Sequence, residues 1–220
     1  GIHVSDVTIA REAGRFGSAL RFGSRNTEAL FYKAQDNVPY SDASMAGTVS
    51  FWLSLDPAVD LEPGFCDPVQ ITDVAYNDSA VWVDFTSENP RQFRLGVLGD
   101  LDLWNADNLP PAENPEFNDR LVVVQDPPFG SGQWTHVVIT YADLNSAGGG
   151  SARLYLDAEL QGTSGTITEA FTWDLEKAAI RVGVNYVGLY DDLAIFNRAL
   201  SGEEVVALHQ LETGVAGLYP

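Results

Sequence analysis

The sequence is short of several things, and each shortage narrows the field. Cys66 is the only cysteine, so no intrachain disulfide and no cysteine zinc cluster can form. Its neighbours Phe65, Asp67 and Pro68 bring no histidine or cation to activate a thiol, so Cys66 reads as a packing residue. Basic residues are few: 12 Lys and Arg stand against 31 Asp and Glu, a formal net charge of -19. Nucleic acid and anionic membrane surfaces need clustered cations, so both are disfavoured as partners. No apolar run approaches the roughly 18 residues of a membrane-spanning helix. No initiating Met or signal peptide precedes Gly1, and the chain is expected to be a mature or excised domain.

Catalytic motifs are equally scarce. There is no Gly-x-Ser-x-Gly elbow and no metal-type histidine spacing. The three histidines, His3, His136 and His209, are scattered. Glycosidases of β-sandwich type set acids on one face of a strand at i, i+2 and i+4, and no such run exists. Asp100 with Asp102, and Asp157 with Glu159, read as solvated faces instead.

What is present is strand pattern. Residues 134–141 are rich in Val, Ile, Thr and aromatics on both faces, which predicts a central strand covered on each side. Glycines 148–150 follow, and residues 153–160 then alternate as one half-buried strand, with Tyr155 and Asp157 on its polar side. Residues 48–55 alternate strictly: Val49, Phe51, Leu53 and Leu55 on one face, Thr48, Ser50, Trp52 and Ser54 on the other. Strands are predicted at 3–9, 69–74, 80–85, 92–97, 121–124, 179–184 and 188–196, and a hairpin from 19–22 and 29–32. In the 80–85 strand Val81, Val83 and Phe85 point inward and Trp82 and Asp84 outward; in the next, Arg94 points outward. Residues 98–130 are irregular, with five prolines and seven acids against Arg120 alone. Ser201 and Glu204 form a capping box that starts a helix from about Gly202 to Leu211. About a dozen short strands and one C-terminal helix predict an all-β, two-sheet antiparallel sandwich across residues 1–220 as one domain.

Three blocks carry a family resemblance. Residues 134–162, WTHVVITYADLNSAGGGSARLYLDAELQG, resemble the Trp-His-x-Val-x-x-Thr-Tyr and Leu-Tyr-x-Asp-Gly pattern of laminin-G-like and pentraxin-like jelly rolls in the concanavalin A-like lectin/glucanase group. Residues 188–211 resemble that family's closing strand and helix, with Asn197-Arg198-Ala199-Leu200-Ser201 the most specific stretch. Residues 47–55 are similar to its early strand. The resemblance implies a secreted or cell-surface module that binds glycan or extracellular protein. It also implies structural calcium, with Asp191 and Asp192 matching the closing acidic pair and Asn26 offering oxygen from an early loop that lacks an acid.

For a glycan, an aromatic ring stacks on the sugar's C–H face while carboxylates and Arg bond its hydroxyls. Trp52, Trp82, Asp84, Arg94 and Tyr155 are the candidates for that role, provided no loop or partner covers the tryptophans. The alternatives are a glycoside hydrolase or lyase with acids dispersed over several strands, and an adhesion domain of a larger surface protein. A close, buried carboxylate pair at the base of a groove would separate the enzyme from the binder. Oligomeric state is not readable from the sequence.

Overall fold

The computed structural model describes residues 6–27, 30–73 and 80–215. Thirteen strands form among them: β1 (Val7–Gly14), β2 (Gly17–Phe22), β3 (Leu30–Lys33), β4 (Met45–Ser54), β5 (Cys66–Thr72), β6 (Ala80–Phe85), β7 (Phe93–Leu98), β8 (Leu121–Val124), β9 (Thr135–Leu144), β10 (Ser151–Leu156), β11 (Glu159–Thr163), β12 (Ala179–Val184) and β13 (Gly188–Phe196). A four-residue helix α1 (Pro115–Asn118) sits in the irregular segment, and α2 (Gly202–His209) follows β13. The strands build a seven-stranded sheet, β1-β2-β13-β4-β9-β10-β11, and a six-stranded sheet, β3-β12-β5-β6-β7-β8, with antiparallel neighbours.

The core lies between the sheets, where period-two alternation places it. Val49, Phe51 and Leu53 of β4 meet Val81, Val83 and Phe85 of β6 in one continuous cluster, with Val137 and Ile139 of β9. Phe51 stacks on Tyr190 at 5.1 Å and 8°. Each such ring, fully removed from water, contributes about 1.5–3 kcal/mol. Cys66 is buried in the same cluster, and burial pushes its thiol pKa up, as a packing role requires.

The opposite face of β4 and β9 is covered as well. Thr48 Oγ1 donates to Arg198 O at 2.8 Å and accepts from Leu200 N at 2.9 Å, which pins the loop that launches α2. Ser201 and Glu204 close the expected capping box, and Val205 of α2 is buried on Val138, Tyr155 and Leu200.

The sandwich is as expected; three local readings change. The hairpin expected from 19–22 and 29–32 does not form, because β2 and β3 belong to different sheets. The hairpin is instead β1 with β2, turning between Gly14 and Gly17. Residues 153–160 are not one strand but parts of two, since Asp157 (φ 48°) and Ala158 (φ 68°) make a two-residue turn that reverses the chain into β11. Leu160, expected inward, is therefore exposed. The irregular segment also contains helical turns its prolines did not suggest. Residues 3–5 and 74–79, which bound two of the expected strands and their connection, lie outside the described residues.

Candidate functional site

The outer face of the six-stranded sheet carries a row of polar side chains, and local irregularities aim them. Between β5 and β6, Cys66 pairs with Phe85 and Val69 with Val83, so Asp67 and Pro68 together oppose Asp84. That β-bulge turns Asp67 outward, although strict alternation from Val69 puts it inside. On β12, Gly183 has φ 81°, and a Cβ there would sit 2.1 Å from Phe22 Cε1. Only glycine fits, and the kink presents Val184 and Asn185 beside Asp67.

Across the next pair, Arg94 lies opposite Asp84. Arg94 Nε donates to Asp84 Oδ1 at 2.8 Å and Nη2 to Oδ2 at 2.6 Å. Trp82 Nε1 adds a third bond to Oδ2 at 3.2 Å. A bidentate pair of this kind is geometrically fixed as well as strong. The Arg94 guanidinium also lies 5.1 Å from the Phe65 ring centroid. Asp67 has no such clamp, only a long bond from Gln70 Nε2 to its Oδ2 at 3.4 Å. Burial, and then the charge of Asp84, hold its carboxyl pKa well above the usual range, with Arg94 and Arg25 offsetting part of the effect.

The irregular segment roofs this row. Trp104 packs on Trp82 at 5.5 Å, and Phe117 meets Trp104 edge-on at 5.3 Å. Ala80, Trp82, Leu98, Phe117 and Leu121 form a second, small core outside the sheet. Trp82 lies flat over Gly96, where a Cβ would be 2.1 Å from Cζ2 of the indole. The Arg120–Glu169 ion pair at 2.5 Å anchors the end of the roof. On the other flank Arg91 donates to the carbonyls of Leu61, Glu62, Gly64 and Thr86, which holds the loop bearing Phe65.

Between roof and sheet a cavity of about 270 Å³ remains. Its walls are Phe65 and Trp104; its polar lining is Asp67, Asp84, Arg94 and Asn185, with Asn105 and Asn108 on the roof. Asn185 Oδ1 is buried without a hydrogen-bond partner. Its backbone N–H is tied to Asn26 O at 2.7 Å.

Of the residues singled out from the sequence, Asp84, Arg94 and Trp82 come together here, while Trp52 and Tyr155 lie on the other sheet. None of the three aromatics offers an open ring face: Trp52 is 3 %, Trp82 0 % and Tyr155 4 % exposed. The roof covers Trp82, and α2 covers Tyr155. Trp52 is stacked on His136 at 4.5 Å and on His209 at 5.3 Å, with Arg15 over its ring at 4.8 Å. The half-buried Trp104 is the tryptophan that faces the cavity, and its place in an aperiodic stretch carries no sign of that role. Asp67, Asn105, Asn108 and Asn185 were likewise missed. The Asp-Pro step at 67–68, near the start of β5, is the signal that marks the bulge.

His136 is structural, as expected. Its Nε2 is 2.8 Å from Ser50 Oγ. Burial, then His209 and Arg15, lower its pKa to about 3.

The expected calcium residues do not share one place in the bonding pattern. Asp191 Oδ2 accepts from Phe16 N at 2.9 Å and Oδ1 from Asp192 N at 2.8 Å; Asp192 accepts from Val215 N at 2.9 Å. These acids fasten the β1–β2 turn and the segment after α2 to β13. Asn26 lies behind the cavity, bonded to Asn185. Among the described residues no group of three or more His, Cys, Asp or Glu is placed to hold a metal ion.

A family model described as the concanavalin A-like lectin/glucanases superfamily matches residues 33–206. The chain belongs to the concanavalin A-like superfamily. Solved structures share its fold at low identity. The botulinum neurotoxin serotype G binding domain is 14 % identical with a TM-score of 0.55, over 93 % of this chain and 44 % of that one. Domain 4 of AbnA, an extracellular arabinanase from Geobacillus stearothermophilus solved with arabinotriose, is 17 % identical with a TM-score of 0.51, over 92 % and 82 %. The SAP-like pentraxin of Limulus polyphemus is 12 % identical with a TM-score of 0.52, over 96 % and 84 %. The chain thus spans under half of the first of these structures. No curated protein matches it significantly. These likenesses concern the concanavalin A-like fold; the site must speak for itself.

Proposed function

We propose that the chain is a non-catalytic glycan-recognition module and that the cavity under the roof is its binding site. One observation carries this: Trp104 and Phe65 wall a cavity whose polar lining includes the clamped Asp84–Arg94 pair and the amides of Asn105, Asn108 and Asn185. Rings serve the apolar face of a sugar, and fixed acceptors and donors serve its hydroxyls. An apolar-walled pocket with a few convergent polar groups is the ordinary form of a small-ligand site. The arabinotriose bound to domain 4 of AbnA is consistent with glycan binding on this fold. A secreted or cell-surface setting fits the same reading; no described helix is long and apolar enough to cross a membrane.

The test is a glycan array read with the wild type, Trp104→Ala and Asn108→Gly. Asn108 has φ 52°, which glycine adopts without strain, so that variant removes the amide and leaves the backbone content. Both variants are expected to lose at least about tenfold in affinity, a loss of one aromatic or hydrogen-bond contact. A folded Asn108→Gly and Trp104→Ala pair that binds like the wild type removes the cavity from the account.

Asp67 beside Asp84 favours a second reading, a glycoside-cleaving site with Asp67 as proton donor. Against it, both oxygens of Asp84 are directed to Arg94 and Trp82. Release of new reducing ends from an array-positive glycan, lost in Asp67→Asn, would establish the enzyme.

A further inference from the structure

The cavity's hydrogen-bonding inventory is lopsided. Among the described residues its one lining cation, Arg94, is already held on Nε and Nη2 by both oxygens of Asp84. Asp67 brings a second acid to the same space. Arg25, the other cation near Asp67, donates to Phe65 O at 3.3 Å, is not part of the lining, and packs on Gly64, where a Cβ would sit 2.6 Å from its Nη2. Asn185 adds a buried carbonyl oxygen with no donor. A buried acceptor without a partner is costly, and it is relieved by a ligand that donates. Carboxylate, sulfate and sialic acid substituents bring acceptors and negative charge, and Arg94, the cation that would receive them, is already committed to Asp84.

We infer that the cavity selects sugars whose groups donate, neutral hydroxyls or protonated amines, and turns away sugars bearing acidic groups, with Asp67 and Asn185 as the specificity-determining residues. This rests on the glycan reading above. The net charge of -19 works in the same direction at longer range, since it slows the approach of an anionic chain. Trp104 and Phe65 suit both favoured classes, because a ring face accepts sugar C–H groups and cations alike.

The experiment compares neutral, glucosamine-type, uronic, sulfated and sialylated oligosaccharides against the intact chain, with Asp67→Asn and Asn185→Gly alongside; Asn185 has φ 56°, which glycine adopts without strain. Against an ionised Asp67, a like charge brought within about 5 Å at an effective dielectric near 20 lowers affinity by more than tenfold. The wild type is therefore expected to bind neutral or amine-bearing glycans at least about tenfold more tightly than acidic ones of the same backbone. Asp67→Asn replaces a carboxyl with an amide that donates, and it should narrow that gap. Asn185→Gly should weaken the neutral ligand and leave the acidic one unchanged. Acidic glycans that bind the wild type as well as neutral ones overturn the inference while leaving the glycan site standing. A gap unchanged in folded Asp67→Asn overturns the role given to Asp67. Silence across every class removes the glycan reading and this inference with it.

Discussion

Lowering the pH from 8 to 5 is expected to cost the protein about 2 kcal/mol through His136 alone. The imidazole is buried beneath Trp52 and His209, with Arg15 nearby, and its folded pKa is near 3 against 6.5 in the unfolded chain. A base with a depressed folded pKa stays neutral in the fold while the unfolded chain takes up a proton. Its contribution is therefore complete above pH 6.5 and is lost as the pH falls toward 3. At pH 5 the unfolded state gains RT ln(1 + 10^1.5), about 2 kcal/mol, and the folded state gains almost nothing. Asp67 and Asp191 have raised pKa values and titrate the other way, gaining stability as they protonate. The comparison must therefore be with His136→Gln, whose amide can keep the bond to Ser50 and cannot protonate. Urea unfolding of both proteins at pH 8, 6.5 and 5 gives the difference directly. Parallel stability profiles would show that His136 is protonated in the fold, and the argument from burial would fail.

Gly96→Ala places a methyl group where the Trp82 indole lies, and should cost about 1–3 kcal/mol by overpacking. It should also tilt Trp82 against Trp104, read as a changed near-UV circular dichroism signal and a weaker glycan response; an unchanged spectrum would mean the roof does not rest on that ring. Asp191→Ala removes the acceptor for two backbone N–H groups, at Phe16 and Asp192, and should lower stability by about 1–3 kcal/mol. Because those bonds need no metal, the loss should persist in excess chelator; a difference that chelator erases would mean the acid works through calcium.

The sandwich was legible because alternation in 48–55, 80–85 and 92–97 is a direct image of one face meeting another sheet. The capping box at Ser201 was legible for a similar reason, since it is entirely local. The site was half legible. Asp84 and Arg94 follow from alternation, but Asp67 does not, because a bulge changes which face a residue takes and its position depends on the partner strand. Trp82 was correctly aimed and yet is covered, since a residue's direction does not tell what chain passes over it. Trp104 sits in a stretch without period, where sequence carries no geometry until the stretch has docked. The expected 19–32 hairpin failed because turn residues mark a change of direction and not which sheet the chain enters next.

The roof has a consequence for how such a module diversifies. The clamp and bulge belong to paired strands, which tolerate little change, whereas residues 104–109 are a loop resting on one indole. Substitutions, insertions or deletions there would alter what the chamber admits without disturbing the sandwich beneath. The ligand spectrum can therefore drift while the scaffold stays put, and two relatives with superimposable sheets can answer to different sugars.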